Sequence, residues 1–140
     1  MRVLALDLGD RRIGLALSDP SGMIAQGLDV IERKSERSVL EVIRHRVSSL
    51  EVERVVVGLP LMMDGTEGVE AEKARRFIAR LRMVVDIPIE VQDERLSSTE
   101  AERIMIADDV SRARRRRRRD AVAAALILQT YLDRQRVVDQ

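Results

Sequence analysis

An α/β fold on one mixed sheet, with an antiparallel meander of three strands extended by parallel strands and flanked by helices, follows from three features of the sequence. Val3, Leu4, Ala5, Leu6 and Leu8 form a continuous apolar run, the pattern of a strand buried on both faces. After the turn residues Gly9, Asp10, Arg11 and Arg12, Ile13, Leu15 and Leu17 alternate with Gly14, Ala16 and Ser18, so a second strand returns antiparallel to the first. The short apolar run from Arg54 to Gly58 follows a helical segment, which marks a crossover and parallel pairing with the first strand.

The other elements follow in order. Pro20, Ser21 and Gly22 make a turn, and Met23 to Ile31 is rich enough in apolar and β-branched residues to complete the meander. Ser35 can cap a helix in which Val39, Ile43, Val47 and Leu50 recur at helical spacing, with Glu36, Arg37, Glu41, Arg44 and Arg46 on the outer face. His45, the only histidine, lies on that helix between two arginines and is expected to face solvent. Beyond Gly58 and Pro60, Asp64 and Gly65 signal a turn in a polar loop, at the place where α/β folds carry functional loops. A second amphipathic helix spans Glu67 to Val84, with Ala74, Phe77, Ile78 and Leu81 as its core stripe.

Pro88 introduces a fifth strand, Ile89 to Gln92, which runs into Asp93, Glu94 and Arg95. Ser97 and Glu100 have capping-box spacing, so this acidic cluster would lie beside a helix N-terminus able to hold a phosphate. Residues 107–119 lack apolar periodicity and are expected to form a mobile loop. Asp120 then opens a last helix, whose alanines 121, 123, 124 and 125 permit close approach to the sheet while Leu128 and Tyr131 extend the packed stripe.

The chain's 140 residues suffice for a single domain, 1–140, with a proper core. With no cysteine, disulfides and thiolate metal sites are excluded. The longest apolar run, Ala121 to Leu128, is far too short to span a bilayer, and the N-terminal run lacks a cleavage site; no membrane partner and a cytoplasmic location are expected. Formal net charge is only +1, yet seven arginines fall between Arg112 and Arg119, so one local patch is strongly basic. Phosphate is the natural partner of such a patch, and nucleic acid the natural ligand; a solvated charged face is the alternative.

The chemistry rests on carboxylates. Asp7 interrupts a buried run, and a carboxylate there is costly unless a cation or metal meets it. The hairpin is expected to present Asp7 near its open end, although an Asx-type bond to Gly9 or Asp10 would be a purely structural role. Glu94 with Asp93 follows the last strand, and Asp120 starts the last helix, where it could be no more than an N-cap. If the first and last strands lie side by side, these acids converge. Clustered carboxylates stay ionised around a divalent cation, and oxygen-only ligation suits Mg²⁺ or Mn²⁺. Two such ions can activate water and stabilise the leaving oxygen in phosphodiester hydrolysis.

Four motifs carry a resemblance over essentially the whole chain: LDLGDRRIGLALSD, VVVGLPLMMDGTEG, QDERLSSTEAE and RRRDAVAAALILQTYLD. In this order they resemble the YqgF/RuvX family of Holliday-junction-resolvase-like proteins, assigned to nuclease processing of the 5′ end of pre-16S ribosomal RNA. The resemblance implies a ribonuclease-H-like fold. It also implies that Asp7, Glu94 and Asp120 are the catalytic, metal-binding acids, and that Arg12, Gly14, Gly65, Arg95 and Ser97 surround the site; the basic run beside Asp120, read from its charge alone, would grip the substrate backbone with Arg115, Arg116, Arg117 and Arg118. The sequence departs from the family pattern in its DERLSST register and in six consecutive arginines, and neither change touches the three acids.

The expected activity is therefore metal-dependent cleavage of structured RNA, with a four-way DNA junction as the second substrate. A junction resolvase needs two symmetric cuts; the sequence shows no clear dimer face, so a monomer or weak homodimer is expected. A non-catalytic RNA-binding assembly factor is the reading from another class. An actin-like or sugar-kinase-like ATPase is a third, although such enzymes bind nucleotide between two domains and this chain supplies one.

Overall fold

The computed structural model describes residues 1–95 and 112–139, with side chains for 1–95 and 120–136. Its elements are β1 (Val3–Leu8), β2 (Arg12–Ser18), β3 (Ala25–Glu32), α1 (Glu36–Ser49), β4 (Arg54–Leu59), α2 (Val69–Leu81), β5 (Ile89–Asp93) and α3 (Arg112–Asp139). The five strands form one sheet in the order β3-β2-β1-β4-β5. β1, β2 and β3 pair antiparallel, while β4 and β5 run parallel to β1, as the meander and crossover predict.

Alternation along β1 sends its two sets of side chains into two cores. Leu4 and Leu6 join Ile13, Leu15, Val55 and Val57 beneath α1 and α2, where Val39, Ile43, Phe77, Ile78 and Leu81 close the layer. Val3 and Ala5 face the other way, with Ala16 and Val56, against Ala124, Ile127, Leu128, Tyr131 and Leu132 of α3. β1 is thus the central strand of a helix–sheet–helix sandwich, which explains its uninterrupted apolar reading.

Local signals explain the helix limits. Ser35 is extended and accepts from Ser38 N at 3.1 Å, which caps α1. α2 begins after Gly68, without a side-chain cap. His45 is exposed, as expected. α3 is fastened to the far side of the meander by Gln129, whose Oε1 accepts from Ala25 N at 2.9 Å and whose Nε2 donates to Met23 O at 3.0 Å. At the other edge the Tyr131 hydroxyl donates to Glu90 Oε2 at 2.7 Å and accepts from Arg54 Nη1 at 2.6 Å.

Three expectations are corrected. The hairpin pairs Asp7 with Gly14 and Leu8 with Ile13, so Asp7 lies beside the turn, at the closed end and not the open one. That closed end is also where β4 and β5 finish, because both run parallel to β1. β1 and β5 are not neighbours, since β4 lies between them. Finally, α3 starts at Arg112, so the described part of the expected 107–119 loop is helical and Asp120 sits in the helix interior, neither opening nor capping it. Arginine is a good helix former, and a helix nucleated by its packed segment propagates through residues that have no apolar stripe. The Ser97–Glu100 capping box lies outside the described residues.

Candidate active site

Asp7 is set by β1 on the face that α3 covers, in a row that contains glycine on either side. Gly14 is its partner on β2. On β4, Leu6 pairs with Val57, which brings Gly58 next to Asp7 on the other flank. Both glycines are required by close approach. A Cβ on Gly14 would stand 2.1 Å from the Asp120 carbonyl oxygen, so α3 rests directly on the β2 backbone at this point. A Cβ on Gly58 would stand 2.7 Å from Glu94 Oε2 and 2.6 Å from Ile127 Cδ1. The intervening strand is therefore bare where the Glu94 side chain crosses it, and two acids meet, one on β1 and one just after β5.

The Asp7 and Glu94 carboxyls are joined by a hydrogen bond. Such a bond requires a proton on one of the two carboxyls. Burial first, then the Asp7 charge and the shared hydrogen bond, push the Glu94 carboxyl up to about 8. Burial also raises Asp7, as does the charge of Asp120, while the bond from Glu94 pulls it back down. Both carboxyls are therefore pushed toward the protonated form, and the two titrate as a coupled pair.

Asp120 projects from α3 toward the same end of the sheet, close enough for its charge to act on Asp7. Its own partner is Arg12, the first residue of β2, whose Nε donates to Asp120 Oδ2 at 2.9 Å. The expected convergence is thus realised for two acids, with the third held at its edge by a guanidinium. Among the described residues no three Asp, Glu, His or Cys side chains gather closely enough to hold an ion in common. An Asx role for Asp7 on Gly9 is not what the turn uses, because Gly9 N donates to Arg12 O at 2.9 Å.

Further charge lies beside Glu94. Arg95 Nε donates to Asp93 Oδ2 at 2.8 Å, so Asp93 is engaged in an ion pair and turned to structural use. The loop after β4 comes up against this pair. Gly65, at φ 88°, completes a tight hairpin in which Met62 N donates to Thr66 O at 2.8 Å, and a Cβ on Gly65 would lie 3.5 Å from Arg95 Nη1. Asp64 caps the turn through Thr66, from its backbone N at 3.0 Å and its hydroxyl at 2.7 Å.

A family model described as "RuvX: Holliday junction resolvase" matches residues 1–134. The chain belongs to the RuvX family. Relatives in this family include a "Putative pre-16S rRNA nuclease" of Halothermothrix orenii, 53% identical over 96% of each chain. A protein of the same name from Pelotomaculum thermopropionicum is 51% identical over 96% of this chain and 88% of its own. Among solved structures, the RuvC protein of T. thermophilus in complex with a Holliday junction substrate superposes with a TM-score of 0.60 over 96% of both chains, at 15% identity. A Fowlpox virus resolvase in complex with Holliday junction DNA gives the same TM-score over 96% of this chain and 99% of that one, at 12% identity. The fold is the ribonuclease-H-like one that the motifs imply.

Within this RuvX chain, Asp7, Arg12, Gly14, Gly65, Glu94, Arg95 and Asp120 all lie at one end of the sheet or on the loop beside it. Ser97 lies outside the described residues. The backbone of Arg115, Arg116, Arg117 and Arg118 belongs to α3, in the turns just before Asp120. Gly58 is a site residue that the sequence reading does not single out. Its signal is present all the same, a glycine inside an otherwise β-branched buried strand, which marks a place where something approaches the backbone closely.

Proposed function

We propose that this RuvX chain is a metal-dependent nuclease that hydrolyses phosphodiester bonds of structured RNA, in the processing of the 5′ end of pre-16S rRNA in the cytoplasm. The observation that supports it best is the half-buried Asp7–Glu94 pair, brought together over Gly58 at the closed end of the hairpin with Asp120 in electrostatic range. Two carboxyls forced together in a desolvated place are destabilising by themselves, and functional sites are where such arrangements occur. The names of the relatives from Halothermothrix orenii and Pelotomaculum thermopropionicum supply the RNA substrate.

The donor set is oxygen only and suits Mg²⁺ or Mn²⁺, which need only one or two carboxylates beside water and substrate phosphate; Asp7, Glu94 and Asp120 are the residues that would hold one or two ions, without all three meeting on a single ion. Such ions, when bound, would supply an activated water and charge stabilisation at the leaving oxygen. The chain's own residues do the rest. Asp7 is fixed by the strand ladder, Glu94 by its passage over Gly58, and Asp120 by the contact of its backbone with Gly14, so the acids are oriented before substrate arrives. For Glu94 and Asp7 to hold an ion, both would have to be ionised, and the hydrogen bond between them would be lost. Arg95, Arg12 and the arginines of α3 meet the phosphate backbone.

The test compares wild type with Asp7→Asn on a labelled pre-16S 5′-leader RNA and on a mobile four-way DNA junction, with Mn²⁺ or Mg²⁺. RNA cleavage abolished in the variant is the expected result. Junction cleavage alone would establish the second reading, which the family description and the resolvase structures favour. Binding of both substrates without cleavage by either protein would overturn the enzyme reading in favour of a non-catalytic RNA-binding factor.

A further inference from the structure

Arg12 stands in an unusual position among the cations of this fold. It is the first residue of β2, directly after the turn, and it reaches the α3 carboxylate of Asp120, 108 positions away in sequence, with Nε to Oδ2 at 2.9 Å. The two side chains are 22% and 23% exposed, so water screens the pair only in part. Asp120 cannot retreat from this contact. It lies in the interior of a long helix, and its backbone is pressed against Gly14 so closely that even a methyl group would not fit between them. Arg12 is the opposite case, a long side chain at a strand end beside a loop. Of the two partners, Asp120 is the one held by its backbone, and the guanidinium sits at the end of a side chain with several rotatable bonds.

We propose that Arg12 is an exchangeable counter-cation. It neutralises Asp120 until a divalent ion takes that carboxylate, and the released guanidinium then takes a phosphate of the nucleic acid. The inference rests on the metal-dependent reading above and goes beyond it, because it makes metal binding and substrate binding mutually supportive through one side chain. A divalent ion ligated by Asp120 and a guanidinium bonded to Asp120 Oδ2 compete for one oxygen and repel one another. The planar guanidinium, with its fork of donors, fits two phosphate oxygens as well as it fits a carboxylate. No bond is made or broken covalently in this exchange, and the charge at Asp120 is balanced before and after it.

The test measures Mn²⁺ binding by calorimetry, without substrate, for wild type, Arg12→Gln and Arg12→Lys, each checked for a cooperative melt. It then measures affinity for the leader RNA in Ca²⁺ and in EDTA. Arg12→Gln is expected to bind Mn²⁺ about five-fold more tightly, the equivalent of removing a competing half-buried ion pair. Wild type is expected to bind RNA more tightly in Ca²⁺ than in EDTA, and Arg12→Gln to lose most of that gain. Arg12→Lys, which keeps the charge but not the fork, is expected to fall between them and serves as the folded control should Arg12→Gln melt early. Mn²⁺ affinity that is unchanged or weaker in Arg12→Gln, with wild type binding normally, overturns the exchange alone. Failure of wild type to bind Mn²⁺ at all overturns the metal-dependent reading and this inference with it.

Discussion

Gly14→Ala is the most informative small change available in this molecule. The added methyl would sit 2.1 Å from the Asp120 carbonyl oxygen and 2.5 Å from its carbonyl carbon. Ordinary contact begins at 3.4 Å, so β2 and α3 would have to part by about 1.3 Å at this point. No rotamer relieves the clash, because both obstructing atoms are backbone. Overpacking of this kind costs about 1–3 kcal/mol, or a fall in Tm of roughly 3–10 °C for a chain of this size. The functional cost is larger in proportion. The same displacement carries Asp120 away from Asp7 and Arg12, and a misplacement of about 1 Å can reduce turnover by roughly a hundredfold. Gly27→Ala is the matched control. Gly27 also lies under α3, but a Cβ there meets Ala121 Cβ and O at 3.3 Å, a contact that yields with a shift of a few tenths of an ångström. Thermal unfolding and metal-dependent cleavage of the leader RNA, measured for both variants, should show a destabilised and nearly inactive Gly14→Ala beside a nearly normal Gly27→Ala. A Gly14→Ala protein with wild-type Tm and cleavage within about threefold of wild type would refute the claim that α3 is seated on that backbone.

Three other outcomes are expected. Because the folded chain holds a proton on Glu94 up to about pH 8, whereas an unfolded carboxyl releases it near 4.5, stability without metal should fall as pH rises through that window. The slope should be at most about 1.4 kcal/mol per pH unit from this group, and denaturant melts of Glu94→Gln should show the dependence flattened. Replacing Arg115, Arg116, Arg117 and Arg118 by glutamine should leave helicity by circular dichroism nearly unchanged, since glutamine is also a good helix former. It should weaken RNA binding and lower the salt dependence of the binding constant, by up to about 0.7–0.9 in slope for each phosphate no longer neutralised. Tyr131→Phe should lower stability by about 1 kcal/mol in thermal melts, because it removes one donor to Glu90 and one acceptor for Arg54 while leaving the ring packed and the Arg54–Glu90 ion pair in place.

The elements that are legible in the sequence are those fixed by local pattern. Period-2 alternation in β2, the continuous run of β1, the Ser35 cap and the stripe of α2 each record a preference that the tertiary structure keeps. What is not legible depends on neighbours that sequence spacing does not reveal. The arginines after Arg112 read as a loop because they carry no apolar stripe, yet they extend a helix whose stability comes from residues beyond Asp120. The acids are legible as chemistry, since a charge inside a buried run demands a partner. How they meet is not, because that depends on the bare backbone of Gly58 across a strand that separates β1 from β5. The Arg12–Asp120 pair joins the start of β2 to the interior of α3 and has no local signature at all.

The two-core arrangement also gives the acidic centre a timetable. In chain order every residue of the Leu4–Leu6 layer, and Asp7 and Glu94 as well, precedes the helix that carries Asp120. Asp120 enters only when α3 lies down on Val3, Ala5, Ala16 and Val56, and that docking relies on residues as late as Tyr131 and Leu132. A growing chain therefore carries an incomplete centre until α3 has been added, and the same helix that completes the centre brings the arginine-rich turns alongside it. Asp120 and the arginine-rich turns therefore arrive together, on the one helix that follows β5 among the described residues.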